Sequence, residues 1–202
     1  MSSDRSGKPS VPALVHDSEQ EETEQMSRTR LTLAALATAA LAGCAREAPV
    51  EPAPVVGAAR ADVRDAGGRL LANASAEQAG DRVRVRIEAA GLAPGSYGAH
   101  IHAVGRCDAP GFDSAGPHWN PTLRQHGTQN PQGAHLGDLP NLLVGANGQG
   151  SFEISLPASL AGGAAPLLDG DGATLVIHAS ADDYRTDPSG NSGARIGCGV
   201  FG

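Results

Sequence analysis

The chain has 202 residues, enough for one domain of about 150 residues plus extensions. Its 22 acidic residues against 15 basic ones leave a net charge of −7, and Lys8 is the single lysine, so no basic run of the kind that tracks nucleic acid is present. Aromatics make up 3% against 27 glycines and 14 prolines, which excludes an aromatic core and favours short strands and turns built on Val, Ile, Leu and Ala.

Residues 1–25 are polar and acidic, with Arg5 and Lys8 against Asp4, Asp17, Glu19, Glu21, Glu22 and Glu24, and show no core pattern. Met26 then opens a short basic stretch, an apolar run from Leu31, and small residues ending at Gly43-Cys44. That order is an export signal, too short for a stable membrane span. It makes Met26 the expected start, with residues 1–25 a mis-called extension. Leu41-Ala42-Gly43-Cys44 resembles a bacterial lipobox, which implies cleavage before Cys44 and lipid attachment to that residue. Residues 44–56, Pro-rich and without an apolar face, read as a tether, leaving 57–202 as the folded domain.

Strand signals fill that domain. Residues 59–64 alternate, 69–75 form a weaker strand, and 82–88 alternate most clearly, with Val83, Val85 and Ile87 set between charged residues. Residues 91–95 read as a loop and 97–104 as the next strand. Residues 105–139 have no period, and a loop of that length is expected in a compact domain only when it is functional. Further strands are expected at 141–144, 152–156, 174–178 and 196–201. Short strands with frequent turns predict an all-β sandwich or barrel.

Six of the seven histidines lie between His100 and His178. His100 and His102 are two apart in an extended run, so both imidazoles project from one face. His118, His126, His135 and Asp138 follow in the long loop, and His178 closes another apolar run. Imidazole suits copper and zinc, and three histidines with one aspartate make a tetrahedral zinc set.

The segments GAHIH (98–102), SAGPHWNP (114–121), HG (126–127), HLGD (135–138), VIHASADD (176–183) and GARIGCGVFG (193–202), with Cys107 between the first two, carry a resemblance. Ligand types and spacings match together over residues 57–202, and the chain resembles a copper/zinc superoxide dismutase of the bacterial, exported type. The resemblance implies an eight-stranded antiparallel Greek-key β-barrel with long metal-binding and guidance loops. It implies copper on His100, His102, His118 and His178, and zinc on His118, His126, His135 and Asp138, one of each per subunit. His118 would then bridge both ions and store a proton while copper alternates between Cu(II) and Cu(I). Two superoxide anions and two protons would become dioxygen and hydrogen peroxide.

Arg195 is implied as the guide for the anion, and Asp182 as the carboxylate joining His100 to His126, with Asp183 a solvated neighbour. The segment Tyr184–Ser192 has no lysine. The guidance loop is shorter than in the eukaryotic pattern, and Arg185 is the one candidate to compensate. Cys107 and Cys198 are a pair in an exported protein, where a disulfide is favoured, and the family places one between the metal loop and the last strand. Two reduced core cysteines are the alternative. Trp119 fits either an interface or loop packing, and both monomer and homodimer fit the sequence. The resulting expectation is an envelope enzyme on the periplasmic side, attached to a membrane through lipid on Cys44. The competing reading is a copper- or zinc-binding lipoprotein without activity. A zinc hydrolase would need an open zinc position, which four protein ligands close.

Overall fold

The computed structural model describes residues 55–202. The expected extension (1–25), export signal (26–43), lipidated Cys44 and most of the tether lie outside them. Nine strands are described: β1 (Val55–Arg64), β2 (Leu70–Ala79), β3 (Arg82–Ala89), β4 (Gly95–Tyr97), β5 (Ala99–His102), β6 (Leu142–Val144), β7 (Ser151–Leu156), β8 (Thr174–His178) and β9 (Arg195–Val200). β4 and β5 are separated only by Gly98, so they form one extended run and the eight expected runs are present. β1 begins inside the stretch read as tether, because Val55 already pairs with Ala79 of β2.

The alternation in β3 sets the sidedness of the sheet. Val83, Val85 and Ile87 are wholly buried, while Arg82, Arg86 and Glu88 are exposed. Burial of each such side chain stabilises by roughly 1.5–3 kcal/mol. β2 runs on past Ser75 to Ala79, farther than its sequence suggests. Its inward residues after Leu71 are Ala72, Ala74 and Ala76, whose small side chains give a weak apolar signal yet pack fully here.

All named pairs are antiparallel, and seven strands form one sheet in the order β5-β8-β9-β1-β2-β3-β7. The pairings β3–β7 and β5–β8 skip intervening strands, as Greek-key connections do. β4 pairs with β6, which lies beside β3 and β7, so the run through Gly98 links the two ends of the curled sheet. Gly98 fits there because a Cβ would stand 2.8 Å from the Ser192 side chain.

β5 and β8 are buried along their whole length. Ala99, Ile101, Leu175 and Ile177 face the main core, and the alternate residues His100, His102, Val176 and His178 face the other way. The long loop covers that second face. Backbone hydrogen bonds to the free edge of β5 order this loop. Trp119 N–H donates to the Ile101 carbonyl at 2.8 Å, Ile101 N–H to Gly137 at 2.9 Å, and Ala103 N–H to Pro117 at 3.0 Å. The same edge forms isolated bridges His100–Asp138 and His102–His118. Gly137 is wedged against the Ile101 carbonyl and the Trp119 backbone, leaving no room for a side chain. Trp119 is 4% exposed and belongs to the core, so of its two readings packing holds.

Candidate metal centre

Strand alternation brings His100 and His102 to one face of β5, and β8 sets His178 beside them. The bridge to His102 delivers His118 from the loop. The imidazole of His100 lies with its ring centroid 4.1 Å from that of His118 and 4.7 Å from that of His178. In each of three rings one nitrogen is engaged by protein. His100 Nε2 meets Asp182 Oδ2 at 2.8 Å, His102 Nδ1 meets the Gly116 carbonyl at 2.8 Å, and His178 Nδ1 meets the Gly193 carbonyl at 3.2 Å. A neutral imidazole has one N–H and one lone pair, so each contact places the proton and leaves the other nitrogen as acceptor. Those others, His100 Nδ1, His102 Nε2 and His178 Nε2, are buried without a hydrogen-bond partner, and so is His118 Nε2. Four orphaned imidazole nitrogens gathered in one place are a donor set for copper.

The second nitrogen of His118 faces the other group. Asp138 Oδ1 lies 2.9 Å from His118 Nδ1, 3.0 Å from His126 Nδ1 and 3.0 Å from His135 Nδ1, and the His118 and His135 nitrogens are 3.3 Å apart. One carboxylate oxygen cannot take three N–H donors along its two lone pairs, and His126 Nδ1 lacks hydrogen-bond alignment. A tetrahedron with zinc–ligand arms of about 2.0–2.1 Å has edges of about 3.3 Å, close to the spacings found. The donors fit zinc. The other Asp138 oxygen accepts N–H bonds from Gly127 at 2.8 Å and His135 at 3.0 Å, which orients the carboxylate.

Asp182 joins the two groups. Its Oδ2 meets His100 Nε2, and its Oδ1 meets His126 Nε2 at 3.0 Å. Such carboxylates orient ligating imidazoles and raise their basicity. Gly190, with φ of 64°, passes so close that a Cβ would strike both Asp182 and His126.

The electrostatics differ between the groups. Burial pushes His102 down to about 2, His118 down to about 4 and His178 down to about 3, and neighbouring imidazoles add to each shift. These rings are therefore neutral at pH 7, with lone pairs available. Burial acts in the same sense on His126, but the carboxylates of Asp138 and Asp182 outweigh it and raise it to about 9. Both carboxylates are held below the usual range: burial opposes their charge, and hydrogen bonds from histidines overcome it.

A cavity of about 700 Å³ opens onto His102, His118 and His178 and is also lined by Arg195 and Arg124. The Arg195 guanidinium donates to the Phe112 carbonyl at 2.8 Å and to Gly116 at 2.9 Å. Burial lowers its pKa, yet a guanidinium stays charged. Arg185 is elsewhere: its Nε donates to Gln129 at 2.9 Å, and it does not line the cavity. Asp183 is solvent-facing, and Thr186 and Asn191 hydrogen-bond its carboxylate. Cys107 and Cys198 form a disulfide with Cα atoms 5.6 Å apart. It packs with Phe112 and Ala115, so it pins to β9 the loop whose carbonyls hold Arg195.

The seven residues expected in the two donor sets come together here with Asp182 and Arg195 beside them, whereas Arg185 does not join them. Sequence reasoning missed the carbonyl of Gly116, which serves both His102 and Arg195, and the pair Asn141 and Tyr184 behind Asp182. A carbonyl has no residue signature.

The family described as copper/zinc superoxide dismutase (SODC) matches residues 68–201. The chain is 50% identical over 120 residues to the superoxide dismutase-like protein YojM of Bacillus subtilis, spanning 58% of this chain and 61% of that protein. It is 41% identical over 143 residues to superoxide dismutase (Cu-Zn) 1 of Aquifex aeolicus, spanning 69% of this chain and 85% of the relative. A superoxide dismutase (Cu-Zn) of Caulobacter vibrioides is also 41% identical, over 147 residues, 71% of this chain and 84% of that one. Among solved structures, a SOD-like protein from Bacillus subtilis superposes with a TM-score of 0.66 at 41% identity, covering 70% of this chain and 96% of that one. The family match runs from the turn after β1 to the end of β9 and so takes in every residue of both donor sets. This chain belongs to the copper/zinc superoxide dismutase family, whose cofactors are copper and zinc.

Proposed function

We propose that the protein is a superoxide dismutase, turning two superoxide anions and two protons into dioxygen and hydrogen peroxide. The observation that carries this reading is the complete set of four orphaned nitrogens, three of them on rings that line the cavity, including a histidine whose second nitrogen belongs to the neighbouring cage. His100, His102, His118 and His178 would hold copper, and His118, His126, His135 and Asp138 would hold zinc. Copper, when bound, supplies a one-electron couple that accepts an electron from one superoxide and returns it to a second, while zinc supplies charge without redox change.

The chain does the rest. Arg195 presents a fixed positive charge at the cavity wall, attracting a small anion and offering it N–H donors. The protein is acidic overall, so this attraction is local. His118 Nε2 is the atom that takes up and gives up a proton. Burial disfavours its charged form, so that proton is readily passed to a peroxide product. Asp182 holds His100 and His126 in fixed tautomers through both half-reactions.

A second reading has one observation behind it: a relative with 50% identity is named superoxide dismutase-like, which leaves room for metal binding without turnover. Dismutation by the copper- and zinc-loaded protein, measured beside His118→Ala, separates the two. Metal-dependent activity in the parent with strong loss in the variant supports the enzyme; no activity in protein that holds both metals leaves binding alone. The lipobox-like segment further supports attachment through Cys44 on the periplasmic side of the envelope. Loss of the protein from the membrane fraction in Cys44→Ala is the expected result, and unchanged partition would overturn the anchor.

A further inference from the structure

Asp182 has one oxygen on His100 and the other on His126, and a residue outside both donor sets also contacts it. Tyr184 has a φ of 62°, a left-handed conformation that side chains rarely adopt. From it the residue reaches three segments at once. Its N–H donates to Asp182 Oδ1 at 2.6 Å, its carbonyl accepts from Gln129 N–H at 2.9 Å, and its phenolic oxygen accepts from Asn141 N–H at 2.8 Å. The Asn141 side chain then grips the backbone of Asp182, accepting its N–H at 2.8 Å and donating to its carbonyl at 3.0 Å. Gln129 follows His126, and Asn141 follows Asp138. Both flanks of the zinc-side segment are thus tied to the segment that carries Asp182. Gly127 is pressed against the Tyr184 carbonyl with no space for a Cβ, so the junction is close on that side too.

We infer that Tyr184, acting with Asn141, is the positioning residue that holds Asp182 across the two donor sets and so keeps the zinc cage in register with His100. This rests on the reading of His118, His126, His135 and Asp138 as the zinc set. The phenol oxygen is the part that can be removed without touching either set. If Tyr184 only packed, phenylalanine would serve as well.

The test uses the full protein and zinc(II), with affinity read by competition against a chelator. Cobalt(II) placed in the zinc position then reports geometry through its visible spectrum. Tyr184→Phe is expected to weaken zinc about tenfold, the lower end of what loss of an orienting partner costs, and to shift the cobalt spectrum. Asn141→Asp, which keeps the shape of the side chain but removes its donor to Asp182, is expected to move both readouts the same way. Tyr97→Phe is the control: it deletes the same group, which there donates to the Ala93 carbonyl at 3.0 Å away from both donor sets, and should leave both readouts unchanged. Zinc affinity and cobalt spectrum unchanged in Tyr184→Phe and Asn141→Asp would overturn the inference. If Tyr184→Phe does not fold, Asn141→Asp decides alone. A parent that binds no zinc overturns the zinc reading and this inference together, whereas zinc binding without dismutation overturns the proposed function alone.

Discussion

The copper-side and zinc-side groups share His118 but are built differently. Three of the four copper-side histidines stand on strands: His100 and His102 on β5 and His178 on β8. Ladder hydrogen bonds set their spacing, and each strand histidine has one nitrogen locked by a carbonyl or carboxylate. The zinc-side residues come from a loop with no regular structure beyond one turn at Asp113–Ala115, and they crowd around a single carboxylate oxygen. The electrostatics follow the same division: burial keeps His102, His118 and His178 from taking a second proton, while two carboxylates pull one onto His126. A site whose geometry comes from a sheet keeps its shape without an ion; one whose geometry comes from mutual contact among charged groups depends on what neutralises them.

The largest effect is expected where the two sides meet. His118→Ala removes the shared ring, and dismutation at equal copper content should fall by roughly 10²–10⁴-fold, the range for a lost proton carrier. A variant that keeps the parent rate would show that the bridge is not needed. Next comes the pin between the loop and β9. A disulfide closing 91 residues contributes up to roughly 4–5 kcal/mol in the chain-entropy model. Cys107→Ala should lose stability toward that bound in urea unfolding; an unchanged midpoint would mean that the β5 edge holds the loop unaided.

Asp182→Asn keeps the shape of the link and removes its charge. Zinc affinity should drop about 10–100-fold, and the copper-side strands should hold their ion more nearly as before. An equal loss on both sides would erase the contrast.

The two sides should also answer pH in opposite directions in the metal-free protein. His102, His118 and His178 have folded pKa values below the unfolded value, so the unfolded state binds more protons below about pH 6.5, and stability falls as pH drops toward the folded values near 4, 3 and 2. His126 is raised to about 9, so its contribution is fully present below the unfolded value and is lost as pH rises from about 6.5 through 9. Thermal melts of chelated protein should therefore decline on both flanks, and a flat profile would contradict both the burial assigned to His102, His118 and His178 and the carboxylate contacts assigned to His126. The smallest effect lies away from the site. Arg86 pairs with Glu88 at 2.7 Å and Glu153 at 3.8 Å on the wet face of the sheet. Arg86→Ala should leave the urea midpoint close to that of the parent, since an exposed ion pair contributes little, and both metals undisturbed.

How far these features could be read in advance depends on their range along the chain. The β3 alternation, the His-x-His pair and the strand ending in His178 were legible because a strand's period of two acts within a few residues. The short β4 and the extra length of β2 were not. β4 exists because β6 pairs with it, and Ala76 to Ala79 become strand because β1 and β3 flank them. The two donor sets were legible as residue types at matched spacings, through resemblance more than geometry. Arg185 shows the limit in the other direction: its charge and place in sequence suggested the cavity, and a hydrogen bond to Gln129 takes it elsewhere.

Local pattern and side-chain chemistry thus suffice for the all-β class, the run of strands, the metal-binding character and the residues that supply it. Whether Trp119 lies in a core, which nitrogen of each copper-side imidazole is left without a partner and whether Arg185 or Arg195 reaches the cavity were decided by contacts between segments far apart in the chain. Those contacts run through backbone carbonyls and N–H groups, which every residue carries alike and no sequence distinguishes.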